Sequence, residues 1–418
     1  MIKPEEYVKL FNIKETPLIA YFEVEERKDL KRYGYPDVEM IYVNAQHFFR
    51  KSDIEKYDFS NGKILEVIKK VRELSEDLLD VSRRMKNKGD VPSFLDAFGK
   101  FMALVDLPIY LYPKFEERFF KTLKLPDEKI EILTHPLCNT YHYRRKKDLF
   151  LVKEGKMARP EFIEKWNWSE MQLFIRKNVD GKFIDEQIEN LREDETFDRR
   201  DFDNIYNSLT DEHKELVDIA QKLIELRDIR IEYVLRSIYN ALPHMEEYAD
   251  SIGINYDSII YMTPPEIISK KVPSDLERRK EDFAYVDHII TDKNEIKRLN
   301  DIFNSTLNID EVKGRPVSKG FVKGRARVVF SKDDLHKVRK GDILVCDITT
   351  PDYMHALHNV SGIVANIGGF TSHTAIVSRE FGIPAVIDCK NATQVFKDDD
   401  EIELDADKGV VRKIEKDT

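Results

Sequence analysis

Gly368-Gly369-Phe370-Thr371-Ser372-His373-Thr374-Ala375-Ile376-Val377 is the most informative stretch of this chain. Two adjacent glycines let a backbone turn sharply after a strand, and either Thr371 or Ser372 is a good N-cap for a helix starting beside it. The spacing predicts a helix from Ser372 to Phe381. It stops at Gly382, with Pro384 two residues further on, a left-handed C-cap glycine paired with a breaker. His373 then falls in the first helical turn, where free N–H groups and the helix dipole favour a negative group. An imidazole is poorly placed there as a cation and well placed to carry a phosphoryl group. Attack by its neutral ring nitrogen on a phosphoryl donor gives phosphohistidine, and the hydroxyls of Thr371 and Ser372 are at hand to hydrogen-bond the transferred oxygens. On these residues alone the plainer reading, a surface histidine beside an ordinary N-cap, stands next to it.

Short β-rich runs bounded by glycine or charge surround that helix: 324–330, 341–347 and 362–365 before it, and 385–387, 401–405 and 409–414 after it. Strands alternating with a helix predict a compact α/β domain over 308–418. Residues 1–307 read as mainly helical. Ile64, Ile68, Val71, Leu74, Leu78, Val81 and Met85 recur every three or four residues, which predicts an amphipathic helix over 64–85. A second long helix is predicted from Asp211 to Asn240, opened by Thr210-Asp211-Glu212 and closed near Pro243. Segments around Leu151–Val152 and Trp166–Trp168 are undecided, and the polar stretch 292–308 is expected to precede or contain a hinge. The fold class expected is multidomain, α and α/β.

The chain has 418 residues, enough for two to three domains at roughly 100–200 residues each. With 68 Lys+Arg against 78 Asp+Glu its net charge is −10, which argues against a general nucleic-acid coat. Mean hydropathy is −0.50, and no run approaches the roughly 18–20 apolar residues of a membrane helix. The first residues carry charges where a signal peptide has its apolar stretch. Cys138, Cys346 and Cys389 lie far apart without ligand spacing, so neither a disulfide framework nor a metal site is expected. A cytoplasmic protein with no membrane or nucleic-acid partner is the expectation.

With the histidine stretch in place, the segment from about Gly314 to Ile414 resembles the swivelling phosphohistidine (mobile) domain of the PEP-utilising enzymes. That family includes phosphoenolpyruvate synthase, pyruvate phosphate dikinase and rifampicin phosphotransferase. Residues 317–327 (VSKGFVKGRAR) resemble the domain's opening strand pair, and Thr350-Pro351-Asp352 resembles the loop before its central strand. Gly368 to His373 with Ala375-Ile376-Val377 resembles the phosphorylation motif, and residues 379–386 (REFGIPAV) with Ala392-Thr393 complete the pattern. The resemblance implies that His373 is the phosphorylated residue, with Gly368, Gly369, Thr371 and Ser372 neighbouring the phosphate. Two positions depart from the family pattern. Asn366 stands where members often carry an acidic residue, which bears on docking or on the charge near the histidine. Asp399 replaces the usual glycine of the 398–400 turn, a change expected to be cosmetic.

The long helix offers a second signal. At about 100° per residue, Leu216, Ile219, Ala220, Leu223, Val234 and Ile238 share one face, with Arg227 in its middle and Arg230 beside Leu223. A buried arginine calls for a carboxylate or a phosphate. An internal ion pair, or a stem snorkelling to solvent, remains open beside ligand binding. Residues 1–307 also resemble, more weakly, the helical region that precedes the swivelling domain in synthase-like and rifampicin-phosphotransferase-like members. Leu226-Arg227-Asp228 matches a Leu-Arg-acidic element, and 257–267 (DSIIYMTPPEI) a strand followed by Thr and Glu-Ile. By that resemblance residues 1–307 hold a small-molecule phosphoryl acceptor, with Arg227 and Arg230 as candidate substrate-binding residues. The lysine that relatives often carry one turn on is Ile231 here, and Arg230 is offset from it by one. His142 within 141–147 reads as part of a solvated loop rather than a basic acceptor patch. Trp166 and Trp168 fit a pocket or packing equally.

No nucleotide-binding grasp domain precedes the helical region, no Gly-rich phosphate loop occurs, and the chain ends at Thr418. The expectation is half of a split machine: a phosphotransferase component carrying covalent phosphate on His373, charged by Mg-ATP on an ATP-grasp-type partner subunit or by PEP. The domain would swing between donor and acceptor on a hinge. The competing expectation is a non-catalytic ligand-binding or regulatory protein derived from this family.

Overall fold

In the computed structural model of the chain, residues 6–12, 16–43, 46–105, 107–171, 173–175, 179–189, 191, 198–304, 311–330, 332–347, 349, 353, 357, 359–368 and 373–414 are described. The chain groups into two units, one of residues 16–37 and 56–280, the other of residues 1–15, 38–55 and 281–418.

The first unit is helical. Its long helix runs Asp211–Ser251 and packs along Asn61–Arg84 and Val91–Val105. Ser60 caps Asn61–Arg84 by accepting the Lys63 N–H, and Thr210 caps the long helix through His213 N–H. Pro243 does not end the long helix as the sequence suggests. Ala241, Leu242, Met245, Tyr248 and Ala249 around and beyond it are all buried in the main core, and that burial outweighs one lost backbone hydrogen bond. The segment expected as a solvated loop is the start of the helix Tyr141–Lys153, which also takes in Leu151 and Val152. Trp166 closes the helix Arg159–Trp166 and Trp168 sits in the turn after it; both are buried in the core.

The second unit contains two sheets. The smaller uses β1 (Tyr7–Asn12), β2 (Met40–Val43), β3 (Gln46–Arg50), β4 (Ala284–Tyr285) and β5 (Ile289–Ile290), all pairs antiparallel in the order β1-β3-β2-β4-β5. The helix Lys293–Asn304 lays Ile296, Leu299 and Phe303 on it, with Phe303 stacked on Phe48 at 4.3 Å. This sheet lies within 1–307, where the sequence reads as mainly helical. β4 and β5 are only two residues long, too short to display a period of two, and β2 is buried at all four positions and so does not alternate.

The larger sheet holds β6 (Glu311–Lys313), β7 (Arg315–Ser318), β8 (Phe321–Val329), β9 (Ile343–Cys346), β10 (Gly362–Ala365), β11 (Ala385–Ile387), β12 (Glu401–Asp405) and β13 (Val410–Lys413), in the order β6-β13-β12-β8-β9-β10-β11-β7. β8 to β11 are parallel and the outer strands antiparallel. Their uninterrupted apolar sequences fit a parallel sheet covered on both faces. Ile343 and Val345 face one core with Val364, Val386 and the short helix Ala392–Val395. Leu344 and Cys346 face the other with Ile363, Ala375 and Val377. Gly314 is required by packing, because a Cβ there would lie 2.4 Å from the Ile387 carbonyl. Every strand expected from the sequence between 324 and 414 has a counterpart here, shifted by three residues at most. The chain is therefore α and α/β with mixed sheets.

Candidate functional site

The parallel strands β9, β10 and β11 end side by side. Their carboxyl ends collect Asp347, then Asn366 to Gly368, then Asp388 to Lys390. In open parallel sheets this edge is where ligands bind. Backbone bonds continue past the strands: Asn366 N–H donates to Cys346 O at 2.9 Å, Ile367 N–H to Asp347 O at 2.9 Å, and Lys390 N–H to Asn366 O at 2.9 Å. Asp388 and Lys390 both sit at left-handed φ, 58° and 61°, so the chain turns tightly after β11. Burial raises the Asp388 carboxyl above the usual range, against the pull of Lys390 and Arg315.

Asn366 is 2% exposed, so its amide acts inside the fold rather than on a docking surface. It donates to Asp347 Oδ1 and to Thr393 Oγ1 at 2.6 Å, and Thr393 Oγ1 donates to the same Asp347 oxygen at 3.2 Å. Beyond Gly368 the next described residue is His373, the first of the helix His373–Glu380. Gly369, Thr371 and Ser372 lie outside the described residues, as does the expected N-cap. Thr374 pins the first turn: it is fully buried, its hydroxyl lies 2.8 Å from Thr349 Oγ1 and accepts the Thr349 N–H at 3.4 Å. Ser318 Oγ on β7 reaches Ser378 O at 3.2 Å further along. The helix ends as expected, with Gly382 at φ 62°.

Asp347, Thr349 and Thr374 escaped the sequence reading. The signal available was positional: Asp347 is the first residue past a parallel strand. Asp399, the departure in the 398–400 turn, has a local role. It occupies the left-handed region at φ 69°, where glycine is at ease, and its carboxylate pairs with Arg327 at 2.7 Å. Among the described residues no cluster of His, Cys, Asp and Glu could hold a metal, and no helix is long and apolar enough to cross a membrane. Cys346 and Cys389 are buried free thiols, pushed well above the usual range by burial, while Cys138 is partly exposed.

The helical unit treats its two candidate arginines differently. Arg227 is exposed, a correction to its expected place on the apolar face. The buried stripe steps through Leu223 to Leu226, one residue earlier than the helical wheel suggests, and turns Arg227 outward. Arg230 is half-buried and donates to Val105 O at 2.7 Å, closing the end of the helix Val91–Val105. The 257–267 element is also not a strand: it forms the short helices Tyr256–Ile259 and Pro264–Ile268. Glu266 there is clamped by Arg279 through two bonds, at 2.8 and 2.9 Å. Trp168 carries Arg236 over its ring at 4.3 Å, and Trp166 donates to Asp148 at 2.8 Å, so both serve packing.

Residues 338–409, which hold β9 to β12 and His373, match the family described as PEP-utilising enzyme, mobile domain. Over that segment the chain is similar to the mobile domain of PEP-utilising enzymes. A probable phosphoenolpyruvate synthase of Archaeoglobus fulgidus is 46% identical over 100 residues, 24% of this chain and 13% of that protein. The phosphoenolpyruvate synthase of Pyrococcus furiosus is 43% identical over 102 residues, 24% of this chain and 12% of its own length. A rifampicin phosphotransferase of Bacillus cereus is 37% identical over 105 residues, 25% of this chain and 12% of that protein. The chain thus covers about an eighth of each of these relatives.

Proposed function

We propose that this chain is a phosphotransferase component whose mobile domain carries a phosphoryl group on His373. The supporting observation is the position of His373, at the N-terminus of a helix leaving the carboxyl edge of the parallel strands, inside the matched segment. Members of this family use phosphohistidine intermediates. A neutral ring nitrogen attacks the donor phosphorus, the N–P bond forms as the donor P–O bond breaks, and the leaving oxygen keeps the electron pair. In the second step the acceptor oxygen displaces the imidazole. The positive end of the helix stabilises charge on the transferred group, aided by Thr371 and Ser372.

The donor in this reading is Mg-ATP on an ATP-grasp-type partner subunit, or PEP. The acceptor is a small molecule held by the helical region. Exposed Arg227 is the better of the two arginines for meeting its phosphate, because Arg230 is occupied by a backbone carbonyl.

Intact-mass measurement after incubation with Mg-ATP, with PEP, and with lysate of the source organism tests this reading. An acid-labile gain of one phosphoryl group in wild type and none in His373→Ala is expected. No gain under any condition overturns the carrier role and leaves a ligand-binding protein built on the same fold.

A further inference from the structure

We propose that Asn366 is a positioning residue for His373, its buried amide locking the strand ends from which the histidine segment departs. The inference deepens the phosphoryl-carrier reading and rests on it for its functional consequence.

Asn366 reaches both neighbouring strand ends at once. Toward β9 its N–H donates to Cys346 O and its amide to the Asp347 carboxylate; toward β11 its carbonyl accepts Lys390 N–H. Its side-chain oxygen accepts Thr393 N–H at 3.4 Å, and its amide donates to Thr393 Oγ1 at 2.6 Å. The heavy-atom geometry of this triangle fits one donor pattern. Two protons leave the Asn366 amide, one to Asp347 and one to Thr393, and the Thr393 hydroxyl proton goes to Asp347. Only a residue with two donors and an acceptor closes it. A leucine would leave Asp347 and Thr393 short of partners, and an aspartate would set two carboxylates at hydrogen-bond distance in a buried site, where one of them holds a proton. The chain leaves this triangle at Ile367, and the histidine helix begins at His373.

Other titratable groups stand beside the triangle among the described residues. The Cys346 thiol is pushed up by burial and then by Asp347 itself. Asp388 and Lys390 stand at the β11 end. His373 opens the histidine helix. A variant in which both triangle carboxylates are present has a shared proton whose folded-state affinity is raised. Its stabilising effect is complete at low pH and lost as pH rises through the folded value.

Hydrogen exchange of the full-length protein between pH 5 and 8 tests this, each variant expressed as a ratio to wild type at the same pH. In Asn366→Asp, exchange of the peptide 366–381 should rise relative to wild type by about tenfold across that range, as expected when the pair's proton affinity lies about two units above that of an unpaired aspartate. The double swap Asp347→Asn with Asn366→Asp rebuilds one amide and one carboxylate and should return the ratio to within about threefold, as expected for a coupled pair. Phosphoryl loading from Mg-ATP or PEP should slow with rising pH in Asn366→Asp and recover in the swap. A flat ratio in Asn366→Asp, an increase shared equally by β12 and β13, or no recovery in the swap overturns the positioning role. If the exchange pattern holds while wild type takes up no phosphate, the carrier reading fails and the positioning of this segment stands.

Discussion

Arg279, in the helical unit, and Arg327, in the C-terminal sheet, are both buried guanidiniums held by two carboxylates, yet their partners keep different amounts of water. The side chains of Glu266 and Asp275, which hold Arg279, are 24% and 29% exposed. Asp342, the more buried partner of Arg327 at 2.8 Å, is 8% exposed, while Asp399 is 64% exposed. In the helical unit the charges meet at the rim, where an arginine staples a short capped helix to its successor. In the sheet the ion pair is built into the packed body, and Asp342 also accepts the Arg339 N–H at 2.9 Å. The lesson is that an ion pair's worth follows from the burial of the partner left behind, more than from the burial of the arginine.

The largest effect expected sits outside this pairing. His373→Ala should lose all acid-labile phosphate, with its thermal unfolding midpoint close to wild type; a variant that loads normally would break the functional contrast between the two units. Next, Arg327→Met should lower stability by about 3–5 kcal/mol, because it strands buried Asp342. Arg279→Leu should lower it by about 2 kcal/mol, the scale of hydrogen bonds to charged groups whose partners can recover water. Urea unfolding measures both, and an Arg279 variant costing more than the Arg327 variant would reverse the argument.

The Arg279 cost should also depend on pH. Burial works to raise the Glu266 carboxyl, but the hydrogen bonds from Arg279 and from Thr263 N–H overcome it and bring Glu266 below the usual glutamate range. A lowered folded-state value means stability present above the unfolded value and lost as pH falls through the folded one. The difference between wild type and Arg279→Leu should therefore shrink in acid. Smallest of all, Asp399→Gly should change stability by less than about 1 kcal/mol. It relieves a left-handed φ of 69° while giving up the exposed one of two carboxylates on Arg327, which keeps buried Asp342.

The C-terminal sheet was legible because its signals are short-range. Runs such as Ile343–Cys346 and Gly362–Ala365 are apolar, brief and bounded by glycine or charge, and Gly382 with Pro384 marks the end of the histidine helix. The helical unit hides more. Pro243 is a local stop that the core overrides, and a drift of one residue in the buried stripe was enough to turn Arg227 from an apolar face to solvent. The small sheet joins residues near 10, 45 and 285, a pairing that no local pattern announces. At the candidate site His373 was readable from its motif. Asn366 was noticed only as a departure, since its partners Asp347 and Thr393 come from two other segments.

The three cysteines have a practical consequence for watching such a protein at work. Cys346 and Cys389 are sealed inside the sheet and, as thiols held far from ionisation, should ignore maleimides in the native state. Cys138 is partly exposed in the helical unit, its own ionisation hindered by burial and then by Asp228 and Glu225. A slow alkylation at moderately alkaline pH should therefore place one fluorophore or spin label at a defined point of the helical unit without any cysteine being removed. A second label engineered on the exposed Phe330 position would then give a distance ruler between the two units, read with and without added Mg-ATP or PEP.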